Sequence, residues 1–135
     1  MGLGGDGPGR VAWRPDDHMT ASAAQAAAFY DEARRGHAVW TIRDANGIPA
    51  PINTDGVRSM PFWSMRSRAD RVIHHVDAYA ASEPVEVSLD EFRQRWLPGL
   101  ARDGLLVGLD WAGTRATGYD LTPEGLERNL DAGPK

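Results

Sequence analysis

The segment Phe62 to Arg71, FWSMRSRADR, gathers more chemically capable side chains than any other stretch of this sequence. An apolar strand pattern ends there and a helical pattern begins. The unpaired N–H groups of a helix start, together with its dipole, favour an anion. Arg66, Arg68 and Arg71 follow at once, and each guanidinium offers a planar donor fork matched to carboxylate or phosphate. Trp63 can stack on a ring, and Ser64 can add a hydroxyl. Trp63, Ser64, Arg66, Arg68 and Arg71 are therefore the expected ligand-binding group, suited to a small anion. The same residues also have a structural reading: Ser64 or Ser67 caps the helix, Trp63 packs in the core, and the arginines pair with Asp70 and other acids.

A second pair points to a protein partner. Trp111 closes an apolar strand and Arg115 follows it closely, and an exposed tryptophan beside an arginine has the composition of a binding hot spot. The remaining candidates are weaker. Ser59, Ser64, Ser67, Ser82 and Ser88 sit in no G-x-S-x-G elbow. His37 and His75 are the candidate bases of a small enzyme, yet the order of residues puts no carboxylate behind either. His74 and His75 are adjacent, so on a helix they point in different directions, although Asp70 with His74 and His74 with Asp77 have same-face spacing. The chain has no cysteine, which removes thiolate chemistry and cysteine-held metals. GLGGDG lies near the N-terminus with no strand before it and is no phosphate-binding loop. No catalytic residue, metal or cofactor is expected.

The charge balance narrows the partners. A formal net charge of −4 argues against a general nucleic-acid binder and against a polybasic membrane-surface module. It suits a soluble domain and a basic protein partner. The longest apolar runs are too short to span a bilayer, and the N-terminus lacks the pattern of a secretory signal. The expected location is the cytoplasm. Lys135 is the only lysine among fifteen cationic Lys and Arg residues, a usage typical of GC-rich bacterial coding.

The elements that must position these groups can be read from pattern. Residues 1–18 are glycine-rich without apolar periodicity and read as a flexible extension. Residues 19–135 read as one domain, a size at which a substantial core forms. A helix is expected from about Ala21 to Arg35, ended by Gly36. Strands are expected at His37–Arg43 and Val57–Trp63, with Asn46-Gly47 as a hairpin signal and Ile48–Asn53 as an edge strand or irregular segment because of its prolines. A second helix runs from about Ser67 to Ala80, with Ala69, Val72, Ile73, Val76, Tyr79 and Ala80 on its apolar face. A short strand, Val85–Val87, leads to the capping box Ser88-Leu-Asp-Glu91 and a third helix that Pro98 should kink or stop near Leu97, with a short continuation to Arg102. Strands at Leu105–Trp111 and Ala116–Leu121 follow, and Thr122-Pro123 starts a last helix. Trp40, Trp63, Trp96 and Trp111 fall on apolar faces, with Trp111 the most exposed of them. The fold class is α+β, a small mixed or mostly antiparallel sheet with helices packed on it.

Three stretches in this order, RDANGIPAPINTDGVRSMPFWSMRSRADRVI, VEVSLDEFRQRWLPGLARDGLLVGLDW and YDLTPEGLERNL, resemble a bacterial family catalogued as domain of unknown function 2750 (DUF2750). The resemblance covers about residues 19–130 and implies a compact α+β fold, with no catalytic residues to transfer. The expected function is a non-catalytic module that binds another protein, an immunity-type protein that blocks a toxin being one form. The alternative is a small anion- or ligand-binding domain at the Trp63, Arg66 and Arg68 helix start, and the third reading is a small enzyme using His75 or His37.

Overall fold

A computed structural model of the chain describes residues 21–52, 55–112 and 117–132. The expected N-terminal extension and Arg115 lie outside the described residues. Helix α1 (Ala21–Gly36) is alanine-rich and carries Arg34 and Arg35 in its last turn, where cations suit the dipole. It leads into β1 (Ala38–Arg43). After a loop, β2 (Ser59–Phe62) runs into α2 (Arg66–His75), then a 3-10 turn (Asp77–Tyr79) and β3 (Glu83–Ser88). A continuous helical stretch follows as α3 (Leu89–Glu91), a π turn (Phe92–Trp96) and α4 (Leu97–Arg102). The described elements close with β4 (Leu106–Ala112), β5 (Thr117–Leu121) and α5 (Pro123–Ala132). The class is α+β and the pairing mostly antiparallel, as the sequence implied.

β1 pairs antiparallel with β3, while β2, β4 and β5 form a sheet in the order β2-β4-β5 with β2 and β4 parallel. The two sheets meet at one residue pair. Trp40 and Trp63 exchange both backbone hydrogen bonds at 2.7 Å. The next bonded pair in that register would be Ile42 with Pro61, but Pro61 has no N–H to give. The Thr41 hydroxyl donates instead to the Pro61 carbonyl at 2.8 Å. Pro61 therefore breaks what would otherwise be a single five-stranded sheet.

Two hydrophobic cores flank the strands. Val39, Phe62, Val107 and Leu109 join Phe29 of α1, Phe92, Leu97 and Leu100 of the π turn and α4, and Leu126 and Leu130 of α5 in one core. Ile42, Trp63 and Trp111 join Ala69 and Val72 of α2 in a second core.

Local signals explain most of the boundaries. Ser88 Oγ accepts from Glu91 N–H at 3.1 Å, and Thr122 Oγ1 accepts from Gly125 N–H at 3.0 Å, so both expected caps form. Gly47, Gly56 and Gly104 take the positive φ that the turns demand. Asp44 and Gly47 form the expected tight turn, and residues 48–52 take the irregular form of the two expected, with an isolated bridge of Ile52 to Arg58, while Asn53 lies outside the described residues.

One helix departs from expectation and another resolves an open alternative. α2 ends at His75, and Val76 is extended, so Ala80 is exposed rather than on a helical apolar face. The expected continuation past Pro98 to Arg102 forms with no break in the helix. Pro98 cannot donate to Gln94, the carbonyl four residues back, and its ring would crowd that group. The preceding turn widens to a π geometry, with Leu97 N–H bonded to the Phe92 carbonyl, and the helix continues to Arg102.

Candidate binding site

The site is organised by an irregularity in β4. Opposite β5, residues 107, 108 and 109 pair with 121, 120 and 119, but Ala112 pairs with Thr117, so β4 carries one extra residue between Leu109 and Ala112. Asp110 sits in this bulge at φ 50°, a left-handed conformation that an aspartate adopts more readily than most residues. The bulge changes faces. Val107 and Leu109 point into the core with α1 and α5, and by alternation Trp111 would follow them, yet it packs in the α2 core. Its indole lies across Gly108, where an added Cβ would be 2.3 Å from the ring. Gly108 is thus the space that Trp111 occupies. The Trp111 N–H donates to Asp120 at 2.9 Å, and its carbonyl accepts the Trp63 indole N–H at 2.8 Å.

The same bulge aims the Asp110 carboxylate at the start of α2. Ser64 N–H donates to Asp110 Oδ1 at 3.0 Å, and Arg68 donates to Oδ2 at 2.9 Å. Arg68 also grips Glu32 of α1 with both terminal nitrogens, at 2.7 and 3.0 Å. The Ser64 hydroxyl lies 2.6 Å from Glu32 Oε1 and accepts from Arg68 at 3.3 Å. The position where an external anion was expected is therefore held by the chain's own Asp110. Burial pushes the Asp110 carboxyl above its ordinary range. The Ser64 N–H, the Arg68 charge and the Ser64 hydroxyl pull it down, the nearby Glu32 charge adds to the rise, and burial prevails.

The five residues expected to share one anion are dispersed. Trp63 is fully buried and presents no face to a ligand. Ser64 is buried with its hydroxyl engaged, and neither it nor Ser67 caps α2, whose N-cap is Met65 without a side-chain bond. Arg66 lies on another flank, over the Trp40 ring at 5.7 Å and 3.7 Å from Asp70. Arg68 is the internal clamp. Arg71 alone is exposed beside an open recess. Trp111, expected to be the most exposed of the tryptophans and a partner contact, is only 5% exposed, because the bulge turns it inward. Half-buried Trp40 is more accessible.

The recess holds about 190 Å³ and opens where the parallel strands β2 and β4 end, a favoured place for sites in α/β arrangements. Ala28, Val72, Trp111 and Ala112 form its apolar wall. Arg71 and His75, four apart on α2, line it with exposed side chains, and the Arg68–Asp110 pair lies at its inner side. The sequence pointed to Arg68 and Arg71, but not to Glu32, Asp110 or the pairing of Arg71 with His75. A lone aspartate inside an apolar strand, LLVGLDW, was the available signal, since aspartate is depleted in strands. His74 turns back, its Nδ1 donating to the Asp70 carbonyl at 2.8 Å. Among the described residues no three or more acidic or imidazole groups are placed to hold a metal ion, and no helix is long and apolar enough to cross a membrane.

A sequence model of the family described as "Protein of unknown function (DUF2750)" matches residues 26–130. The chain belongs to this family. The match runs from buried Ala26 of α1 to buried Leu130 of α5, so the clamp and the recess both lie within the DUF2750 region. A search of the curated proteins finds no match.

Proposed function

We propose that this DUF2750 domain is a non-catalytic binding module that recognises an acidic segment of a partner protein through the exposed face of α2. The observation that carries this reading is a reversal of sign. The chain is net −4 with histidine neutral, yet on the same count α2, RSRADRVIHH, is net +2, three arginines against one aspartate, with two histidines besides. Arg68 is consumed internally. Arg66, Arg71, His74 and His75 remain exposed on the helix, and Arg71 forms no ion pair among the described residues. A cationic face on an acidic body orients an acidic partner and repels it elsewhere, which serves specificity and encounter rate. The local sign, rather than the net charge that suggested a basic partner, sets the preference.

The test is fluorescence anisotropy with a labelled Asp/Glu-rich peptide at low ionic strength. Binding should weaken several-fold in Arg71→Glu and stay unchanged in Arg102→Glu, a reversal at an exposed position on α4. Raising the salt should weaken it further, as charge screening requires. Absence of binding, or binding equally affected by both reversals, contradicts the reading.

A small-ligand reading has one observation in its favour, the recess at the ends of the parallel strands. Its volume is below the roughly 300–1,000 Å³ usual for ligand pockets. It suits one side chain better than a whole metabolite.

A further inference from the structure

We propose that the recess beside Arg71 receives the C-terminal residue of the partner chain, its apolar side chain against the wall and its free carboxylate on Arg71 and His75. This deepens the binding-module reading and rests on it.

Three features of the recess select that residue. Its volume of about 190 Å³ corresponds to roughly six waters at liquid density, the room for one side chain. Its wall, Val72, Trp111, Ala112 and Ala28, is apolar, and burying a side chain there displaces water from apolar surface on both partners. The exposed groups lining it are an arginine and a histidine one helical turn apart, so a group that enters apolar-first leaves its anion beside two nitrogen donors. A C-terminal leucine or phenylalanine carries both properties on one Cα. An internal aspartate or glutamate bears its charge at the tip of its only side chain and has no separate apolar side chain to set against the wall. The floor is also set against a buried anion: Arg68 is already shared by Glu32 and Asp110, so the carboxylate is held at the mouth by Arg71. Terminal carboxylate capture is a recurrent mode of peptide recognition.

The experiment uses the full chain and labelled octapeptides in anisotropy titrations. One peptide ends Asp-Asp-Leu as the free acid, a second is its C-terminal amide, a third ends Asp-Asp-Gly as the free acid, and unlabelled N-acetyl-leucine serves as competitor. The free-acid leucine peptide should bind about tenfold tighter than either of the other two, the worth of one charge-assisted hydrogen bond or one small apolar contact. Arg71→Ala, at an exposed position, should erase the difference between acid and amide, and Arg71→Lys should restore part of it. Equal binding of acid and amide, with both still dependent on Arg71, overturns the C-terminal proposal and leaves the acidic-face reading standing. No binding by any peptide overturns both. N-acetyl-leucine competing as strongly as the peptide would show a free small acid as the ligand and would also overturn the proposal.

Discussion

Arg68 and Asp110 meet at 2.9 Å, and the same guanidinium grips Glu32 at 2.7 Å, so one side chain of α2 ties the β4 bulge to α1. The contact explains why an arginine at the mouth of a plausible anion site is unavailable to a ligand. It also separates two roles within one short helix: Arg68 faces inward and holds the fold, while Arg71 faces outward.

Removing the clamp should cost stability. Arg68→Ala leaves two carboxylates without their cation, one of them buried. Breaking a fully buried pair costs about 3–5 kcal/mol, and the Arg68 side chain is a third exposed, so about 2 kcal/mol is expected here. Arg68→Lys should recover only part, because an ammonium cannot span both Glu32 oxygens and Asp110 as a planar fork does. Urea denaturation of the three proteins measures both effects.

The raised Asp110 carboxyl predicts a direction with pH. The folded state binds this proton more tightly than the unfolded chain does, so the group's contribution to stability is largest at acid pH, below its unfolded value. It is lost as pH rises through its folded value. The stability of the wild type minus that of Asp110→Asn should therefore fall as pH rises above about 4. Melting curves of both proteins at a series of pH values check this, and a difference that grows with pH would be inconsistent with a carboxyl pushed upward by burial.

Gly108→Ala should be disruptive despite its small size. The new methyl would stand 2.3 Å from the Trp111 indole, so the ring must leave Gly108 and its bond to Asp120. Overpacking of this kind costs about 1–3 kcal/mol. Near-ultraviolet circular dichroism should lose tryptophan signal together with the fall in melting temperature. A variant with unchanged spectrum and stability would contradict the placement of the ring.

Ser88→Ala removes the hydroxyl that caps the helix entering the π turn, with an expected loss of about 1 kcal/mol. Ser67→Ala, which removes no helix cap, should be near neutral by comparison. Thermal unfolding of the pair distinguishes a true cap from a serine that merely lies near a helix start.

Much of the frame was legible in the sequence because its signals are local. Ser88 to Glu91, Thr122-Pro123, Gly104 and the Trp40 strand each specify structure within a few residues. What stayed hidden depends on contacts distant in sequence. Strict alternation placed Trp111 and Leu109 on one face, and only the left-handed Asp110 reverses that, a choice stabilised by Ser64 and Arg68 more than 40 residues away. Glu32 carries no local signal, and only its meeting with Arg68, 36 residues away, gives it a role. The interruption at Pro98 and the continuation to Arg102 were legible from local cost, whereas the π turn that carries the helix past Pro98 is supported by Phe92, Leu97 and Leu100 packing in the core. The candidate site was legible in part: FWSMRSRADR does mark its place, but α2 distributes the arginines among three directions.

The account rests on α2 presenting its outer face and the adjoining recess to a partner. Titration of the ¹⁵N-labelled domain with the peptide ending Asp-Asp-Leu, followed by amide chemical shifts, tests this most directly. The amides of Arg71, Val72, His75 and Ala112 should move in a saturable way, with α5 unaffected. Shifts centred on α4 and α5, or none at peptide saturation, would contradict it.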